Sequence, residues 1–168
     1  MSYVDYVRAN ILRPCGMGST RPDDADAIIA NRARGYRADK SGKLYNATWV
    51  DQSNKLPAGG WLSTALDLAR FAVAIQDGAL LRPETRTEMW ARVKTRDGRE
   101  MDYSKGWMTL HHGGEIEAAG HGGNQQGVTS LLHIEPLNRR ASVILMNLET
   151  YRSIFDLNGR LWRAVSPE

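Results

Sequence analysis

Apolar residues recur at helical spacing near both ends of the chain and once in the middle. Val4, Val7 and Ile11 fall at i, i+3 and i+7, with Tyr3 and Leu12 flanking the stripe. That pattern predicts a short amphipathic helix over 2–12, stopped by Pro14 and Gly16. Residues 21–60 are loop-rich, punctuated by Pro22, Gly35, Gly42, Pro57, Gly59 and Gly60. The clearest helix is predicted over 64–77, where Leu68, Phe71, Ala72 and Ile75 make one apolar stripe. Thr64 and Asp67 fit a capping box with Ser63 just before it, and Gly78 suits a left-handed C-terminal cap. A second helix is predicted from Pro83, a good first-turn residue, to about Trp90.

The period then changes. Asp97-Gly98 is a hairpin signal, and Trp107 to His111 reads as a strand. Val128, Ser130, Leu132 and Ile134 alternate with Thr129, Leu131 and His133, followed by a turn through Pro136-Leu137-Asn138. Ala141 to Met146 is a near-continuous apolar run, which predicts a central strand buried on both faces. Ile154, Leu157, Leu161 and Val165 restore the helical period at the end of the chain. Helices first, then three strands, then a terminal helix imply an α+β fold, with an antiparallel sheet covered by the last helix.

Composition narrows the class. The 168 residues are 42% hydrophobic and 24% charged, enough for one ordinary domain with a core. No apolar run approaches the ~20 residues of a membrane helix. The first ten residues lack the basic start and apolar core of a signal peptide, so the chain as given is expected to be cytoplasmic, with no membrane partner. The one cysteine, Cys15, excludes an intrachain disulfide and reads as a small buried hydrophobe. Without a CxxC pair no structural zinc is expected. The histidines His111, His112, His121 and His133 do not fall at metal-ligand spacing, and no metal or other cofactor is expected. Net charge is +3 and the pI about 9.2. The densest basic stretch, Arg32, Arg34, Arg37, Lys40 and Lys43, is interrupted by Asp39 and reads as a solvated loop rather than a nucleic-acid surface.

Four blocks then occur in order. They are Ile11-Leu12-Arg13-Pro14-Cys15-Gly16-Met17-Gly18-Ser19-Thr20; Pro57 to Phe71 (PAGGWLSTALDLARF); Tyr103-Ser104-Lys105-Gly106-Trp107; and His121-Gly122-Gly123 with Gly127 and a strand pair ending at Asn147. Together they resemble the serine β-lactamase-related and penicillin-binding-protein-like hydrolase family, which includes class C β-lactamases, esterases and D-aminopeptidases. The resemblance covers the family's C-terminal half. It implies a partial β-lactamase/transpeptidase-like fold in one domain portion, 1–168. Within it, 1–106 belong to the helical subdomain, 107–147 to the sheet and 150–166 to its covering helix.

The resemblance also implies acyl transfer through a covalent serine ester, using Ser-x-x-Lys and Tyr-x-Asn or Tyr-x-Ser. No serine here has a lysine three residues on, and Tyr151-Arg152-Ser153 lies out of place. What remains is a site wall. His121 stands where the family has the first residue of its Lys-Thr-Gly or His-x-Gly strand, with a charge conditional near neutral pH. Gly122 and Gly123 complete the motif, the latter permitting close approach. The backbone N–H of Asn124 is implied as one oxyanion-hole donor. The expected function is a serine hydrolase truncated before its nucleophile and inactive alone. Alternatives are half of a split hydrolase completed by a partner chain, or a non-catalytic binding domain. An amide or ester is the expected substrate of a completed site, and a homo-oligomer or partner chain is expected.

Overall fold

The fold comes from a computed structural model that describes residues 1–165. Helix α1 (Tyr3–Val7) continues as a π-helical turn over Arg8–Leu12. Short strands β1 (Arg21–Pro22), β2 (Tyr36–Ala38) and β3 (Leu44–Asn46) lead to a 3-10 helix at Ser53–Ala58 and strand β4 (Trp61–Leu62). Helices α2 (Ala65–Gln76) and α3 (Pro83–Trp90) follow, then β5 (Val93–Lys94), β6 (Glu100–Met101) and β7 (Tyr103–Ser104). The long strands are β8 (Trp107–His112), β9 (Glu115–Gln125), β10 (Val128–Glu135) and β11 (Arg140–Met146). Strand β12 (Leu148–Glu149) and helix α4 (Tyr151–Val165) close the chain. Helix α4 begins at Tyr151, one residue inside the expected 150–166. Ser166, and the expected domain portion beyond it, lie outside the described residues.

The architecture is α+β. One sheet has the order β11-β10-β9-β8-β7, and a smaller one the order β12-β2-β3. Pairing of β7 with β8 and of β8 with β9 is antiparallel, whereas β12 lies parallel to β2 with Leu148 opposite Tyr36. The chain divides into two compact units. The first holds Met1–Gly18, Leu66–His121 and Leu132–Val143; the second holds Ser19–Ala65, Gly122–Leu131 and the described residues from Ile144 onward.

The core of the first unit is the apolar stripe of α2 packed with α3 on the sheet. Ala72, Ile75, Trp90, Ala119 and Ile134 are buried together. Trp107 stacks on Phe71 (centroids 6.4 Å, 9° between planes) and meets Trp90 edge-on at 5.6 Å. Two of the sequence blocks meet here. Buried Asp67 takes an ion pair from Arg70 at 2.9 Å, and the same guanidinium reaches Gly16 O at 3.3 Å. Cys15 is buried as expected, and burial pushes its thiol up from the ordinary value.

In the second unit Leu131, Ile144 and Ile154 are buried together, with Met146 and Leu157 packed against them, so α4 covers this part of the sheet. The first and second blocks also meet in this unit. Arg21 pairs with Leu62, and Thr20 Oγ1 lies 2.8 Å from Ser63 Oγ. Ser63, expected in the helix cap, spends its hydroxyl on Thr20 and the Thr64 carbonyl instead.

Two further expectations change. The sheet region holds a long strand, β9, that the alternation did not mark, because Ala118, Ala119, Gly120, Gly122 and Gly123 give little apolar contrast. And Ala141–Met146 is not a central strand buried on both faces. β11 ends the sheet order, and Leu145 is 39% exposed. A short apolar run carries no information about its place in a sheet. Only one face of β11 is drawn into the core, through Ile144.

Candidate functional site

His121 is placed by two local devices. The first is β9 itself, held by the antiparallel register Met108↔Gly120 and Thr109↔Ala119. Gly120 has to be glycine, since a Cβ there would run into the Leu132 carbonyl on the neighbouring strand. The second is the β7–β8 hairpin. Its central residues Lys105 and Gly106 both have positive φ, +46° and +88°, the backbone of a tight two-residue turn. Lys105 Nζ donates to Glu88 O at 2.9 Å, which anchors the turn to α3.

The hairpin carries Tyr103 to His121. The phenol oxygen lies 3.1 Å from His121 Nε2, and the rings meet edge-to-face at 5.7 Å and 77°. Both side chains are exposed, Tyr103 by 48%. The histidine is therefore not a core residue walled in by apolar neighbours. Ser104, next to Tyr103, is buried at 1% exposure and cannot meet a substrate from solvent.

The next three predicted residues continue along β9 in the second unit. Gly122 and Gly123 are half-buried and Asn124 is exposed. A Cβ on Gly123 would stand 2.6 Å from Ser130 Oγ, so the crowding at this glycine comes from the sheet's own neighbour. The side-chain carbonyl of Asn124 lies 3.4 Å from Thr129 Oγ1. Thr129 is buried; its hydroxyl donates to Leu148 O and accepts from Thr150 N, both at 2.9 Å. Gln125 lies against Gly59, where any Cβ would collide with its amide. Gly127 N donates to Glu149 Oε2 at 3.4 Å and Gly127 O accepts from Tyr36 N at 3.3 Å. The turn after Asn124 is thus tied to both β12 and β2.

Sequence reasoning named His121 as a candidate and gave Tyr103, Thr129 and Gln125 no role. Tyr103 had a signal, its position in the third block, yet nothing local connects it to a residue 18 positions on. Arg37, Lys40 and Lys43 of the basic stretch lie in the β2–β3 hairpin, where Arg37 and Lys43 sit over the Tyr45 ring at 5.0 and 5.4 Å, all exposed. A cavity of about 350 Å³ lined by His112, Glu115, Glu117 and Leu137 lies at the β8–β9 turn. Glu115 is six residues from His121, about 20 Å along a strand, so this cavity is not the His121 site. His111 is half-buried and His112 exposed, on alternating faces of β8. Among the described residues no group of three or more His, Cys, Asp or Glu is placed to hold a metal, and no helix is long and apolar enough to cross a membrane.

The family model described as Beta-lactamase matches residues 1–165, and the chain belongs to this family of serine β-lactamase-like and penicillin-binding-protein-like hydrolases. The human serine beta-lactamase-like protein LACTB, mitochondrial, is 30% identical over 159 residues, covering 80% of this chain and 29% of that protein. Among solved structures, the octameric penicillin-binding protein homologue from Pyrococcus abyssi matches at TM-score 0.79 and 23% identity, over 98% of this chain and 38% of that one. The D-amino acid amidase from Ochrobactrum anthropi SV3, solved with D-phenylalanine, matches at TM-score 0.79 and 21% identity, over 99% and 53%. These likenesses establish the fold. The chain spans less than a third of the human relative and about half of the amidase.

Proposed function

We propose that this chain supplies the His121-Gly122-Gly123 wall, and the Asn124 N–H donor, of an acyl-transfer site of the serine hydrolase type. In this reading it is the C-terminal portion of a β-lactamase-like domain. The observation that carries it is an exposed histidine, paired with an exposed tyrosine, on the strand where the family resemblance puts the site wall. The nucleophilic serine and its lysine come from sequence outside this chain, because no Ser-x-x-Lys occurs within it. The site is then inactive on its own. When completed it acts on an amide or ester, and the amidase neighbour makes D-configured amides the first substrates to try. The test is hydrolysis of nitrocefin and p-nitrophenyl acetate by the purified chain, together with a covalent serine probe. No turnover and no labelling are expected. Stoichiometric labelling of a single serine, abolished by changing it to alanine, would overturn the reading.

A specific observation favours assembly with a second copy or with a chain that carries the missing serine. β11 ends its sheet. In the second unit Leu145, Phe155, Leu161 and Val165 are 39%, 39%, 41% and 63% exposed. A free strand edge invites another chain, and the Pyrococcus homologue is octameric. Sedimentation is expected to show a dimer or larger species. A monomer across a wide concentration range removes self-association from the proposal.

A further inference from the structure

We propose that Tyr103 is the positioning residue of His121, fixing both the orientation and the tautomer of its ring. The proposal rests on the reading of His121 as a site wall. An exposed histidine at a strand surface would ordinarily sample several rotamers and both neutral tautomers. A wall residue that has to present one nitrogen as donor and the other as acceptor needs that freedom removed.

Tyr103 has the means. Its hydroxyl stands 3.1 Å from Nε2, and its ring meets the imidazole edge-to-face. A phenol is a better donor than acceptor toward a neutral imidazole nitrogen. Donation to Nε2 leaves the proton on Nδ1, which makes Nδ1–H the ring's donor. Tyr103 can do this only because it is itself held. Tyr103 pairs with Met108 and Ser104 with Trp107. The turn between them needs positive φ at both Lys105 and Gly106, and the Lys105 ammonium ties it to Glu88 O. The tyrosine, lysine and glycine of the third block thus serve one end: a hydroxyl delivered to His121 across 18 residues of chain. No packing need places the hydroxyl there, since Tyr103 is half-exposed.

The experiment is a long-range ¹H–¹⁵N spectrum of the chain labelled at histidine, at a pH above the imidazole range. The His121 signals are assigned by their loss in His121→Gln. The wild-type ring is expected in the Nδ1–H form, with Nε2 showing the shift of a hydrogen-bond acceptor. Tyr103→Phe keeps the ring packing and removes only the hydroxyl. It is expected to abolish the Nδ1–H preference while leaving the unfolding midpoint unchanged. A wild-type ring protonated on Nε2 overturns the proposal, as does a His121 tautomer unaltered by Tyr103→Phe. Should the variant fail to fold, the wild-type tautomer alone decides. The readout needs no turnover, so its failure is distinct from failure of the hydrolase reading, which the serine probe decides.

Discussion

Gly35 and Gly127 lie back to back, so close that a Cβ on Gly127 would stand 2.8 Å from Gly35 Cα and 2.5 Å from Ala47 Cβ. Gly127 also has φ +78°. Two independent constraints, a left-handed backbone and a neighbouring main chain, therefore exclude a side chain. Gly127→Ala is expected to lose about 2 kcal/mol or more, since the left-handed backbone alone costs roughly 1–2 and the contact adds to it. Gly35→Ala meets Gly127 backbone atoms at 3.0 Å but has no positive φ, so its loss should be smaller. Urea unfolding of the two variants checks the order. Equal stability of Gly127→Ala and wild type would show that the turn after Asn124 is not pinned at β2.

The Asp67–Arg70 pair offers a second test. Asp67 is 1% exposed and Arg70 47%, so the pair is buried at its acidic end only. Arg70 also binds Gly16 O, within the first sequence block. Removing the guanidinium takes partners from a buried carboxylate and a carbonyl at once. Arg70→Ala is expected to cost about 1–3 kcal/mol, well above an ordinary surface ion pair. Arg70→Lys should recover only part of it, because Nη1 makes both contacts from the end of a longer side chain and the shorter lysine does not reach both acceptors. A loss under about 0.5 kcal/mol in Arg70→Ala would mean that the pair contributes no more than a surface contact.

What the sequence disclosed follows from the range of the forces involved. Helices α2 and α3 were legible because their apolar stripe, capping residues and Pro83 are local signals. The Asp97-Gly98 hairpin was legible for the same reason, with Gly98 at φ +82°. The parallel pairing of Leu148 with Tyr36 was not, because it joins residues more than a hundred positions apart with no periodic trace. Nor was the edge position of β11, since an apolar run reads alike wherever its strand lies. At the site, His121 was visible through the fourth block, whereas Tyr103 acquires its meaning only when the β7–β8 turn has folded.

His121 itself separates two readings by stability. An exposed wall residue gives up little when truncated, and His121→Ala is expected to change the unfolding free energy by no more than about 0.5 kcal/mol. A histidine acting as a structural tie would cost about 1–3 kcal/mol by stranding its partners. Urea unfolding of the variant decides. A large loss would remove His121 from the candidate site, and the role of Asn124 would then lack its neighbour.

The last expectation concerns acid. His133 Nε2 lies 3.7 Å from Glu135 Oε1, and Glu135 also accepts from Arg140 at 2.8 Å and from Asn138 at 3.0 Å. Burial holds the His133 ring below its ordinary value of 6.5, against the opposing pull of Glu135 and Glu117. For Glu135, burial pushes upward, but the hydrogen bonds from Asn138 and Arg140 and the charges of Arg140 and His133 prevail, so it lies below its ordinary 4.5. The unfolded chain takes a proton on His133 near 6.5, while the folded chain takes it only at lower pH. Between those values the unfolded state binds more protons, so stability rises with pH there and falls on acidification. The contribution is fully present above the unfolded value and is lost as pH drops from about 6.5 through the folded one. Glu135 acts in the same sense in a lower window, beginning near its unfolded value. Unfolding midpoints in urea from pH 8 to pH 4 should therefore decline from about pH 7 downward. His133→Gln should flatten the upper part of that decline and leave the lower part, which belongs to Glu135 and other carboxylates. An identical profile in His133→Gln would show that the ring titrates alike in the folded and unfolded chains, and that the proton uptake behind any acid loss lies elsewhere.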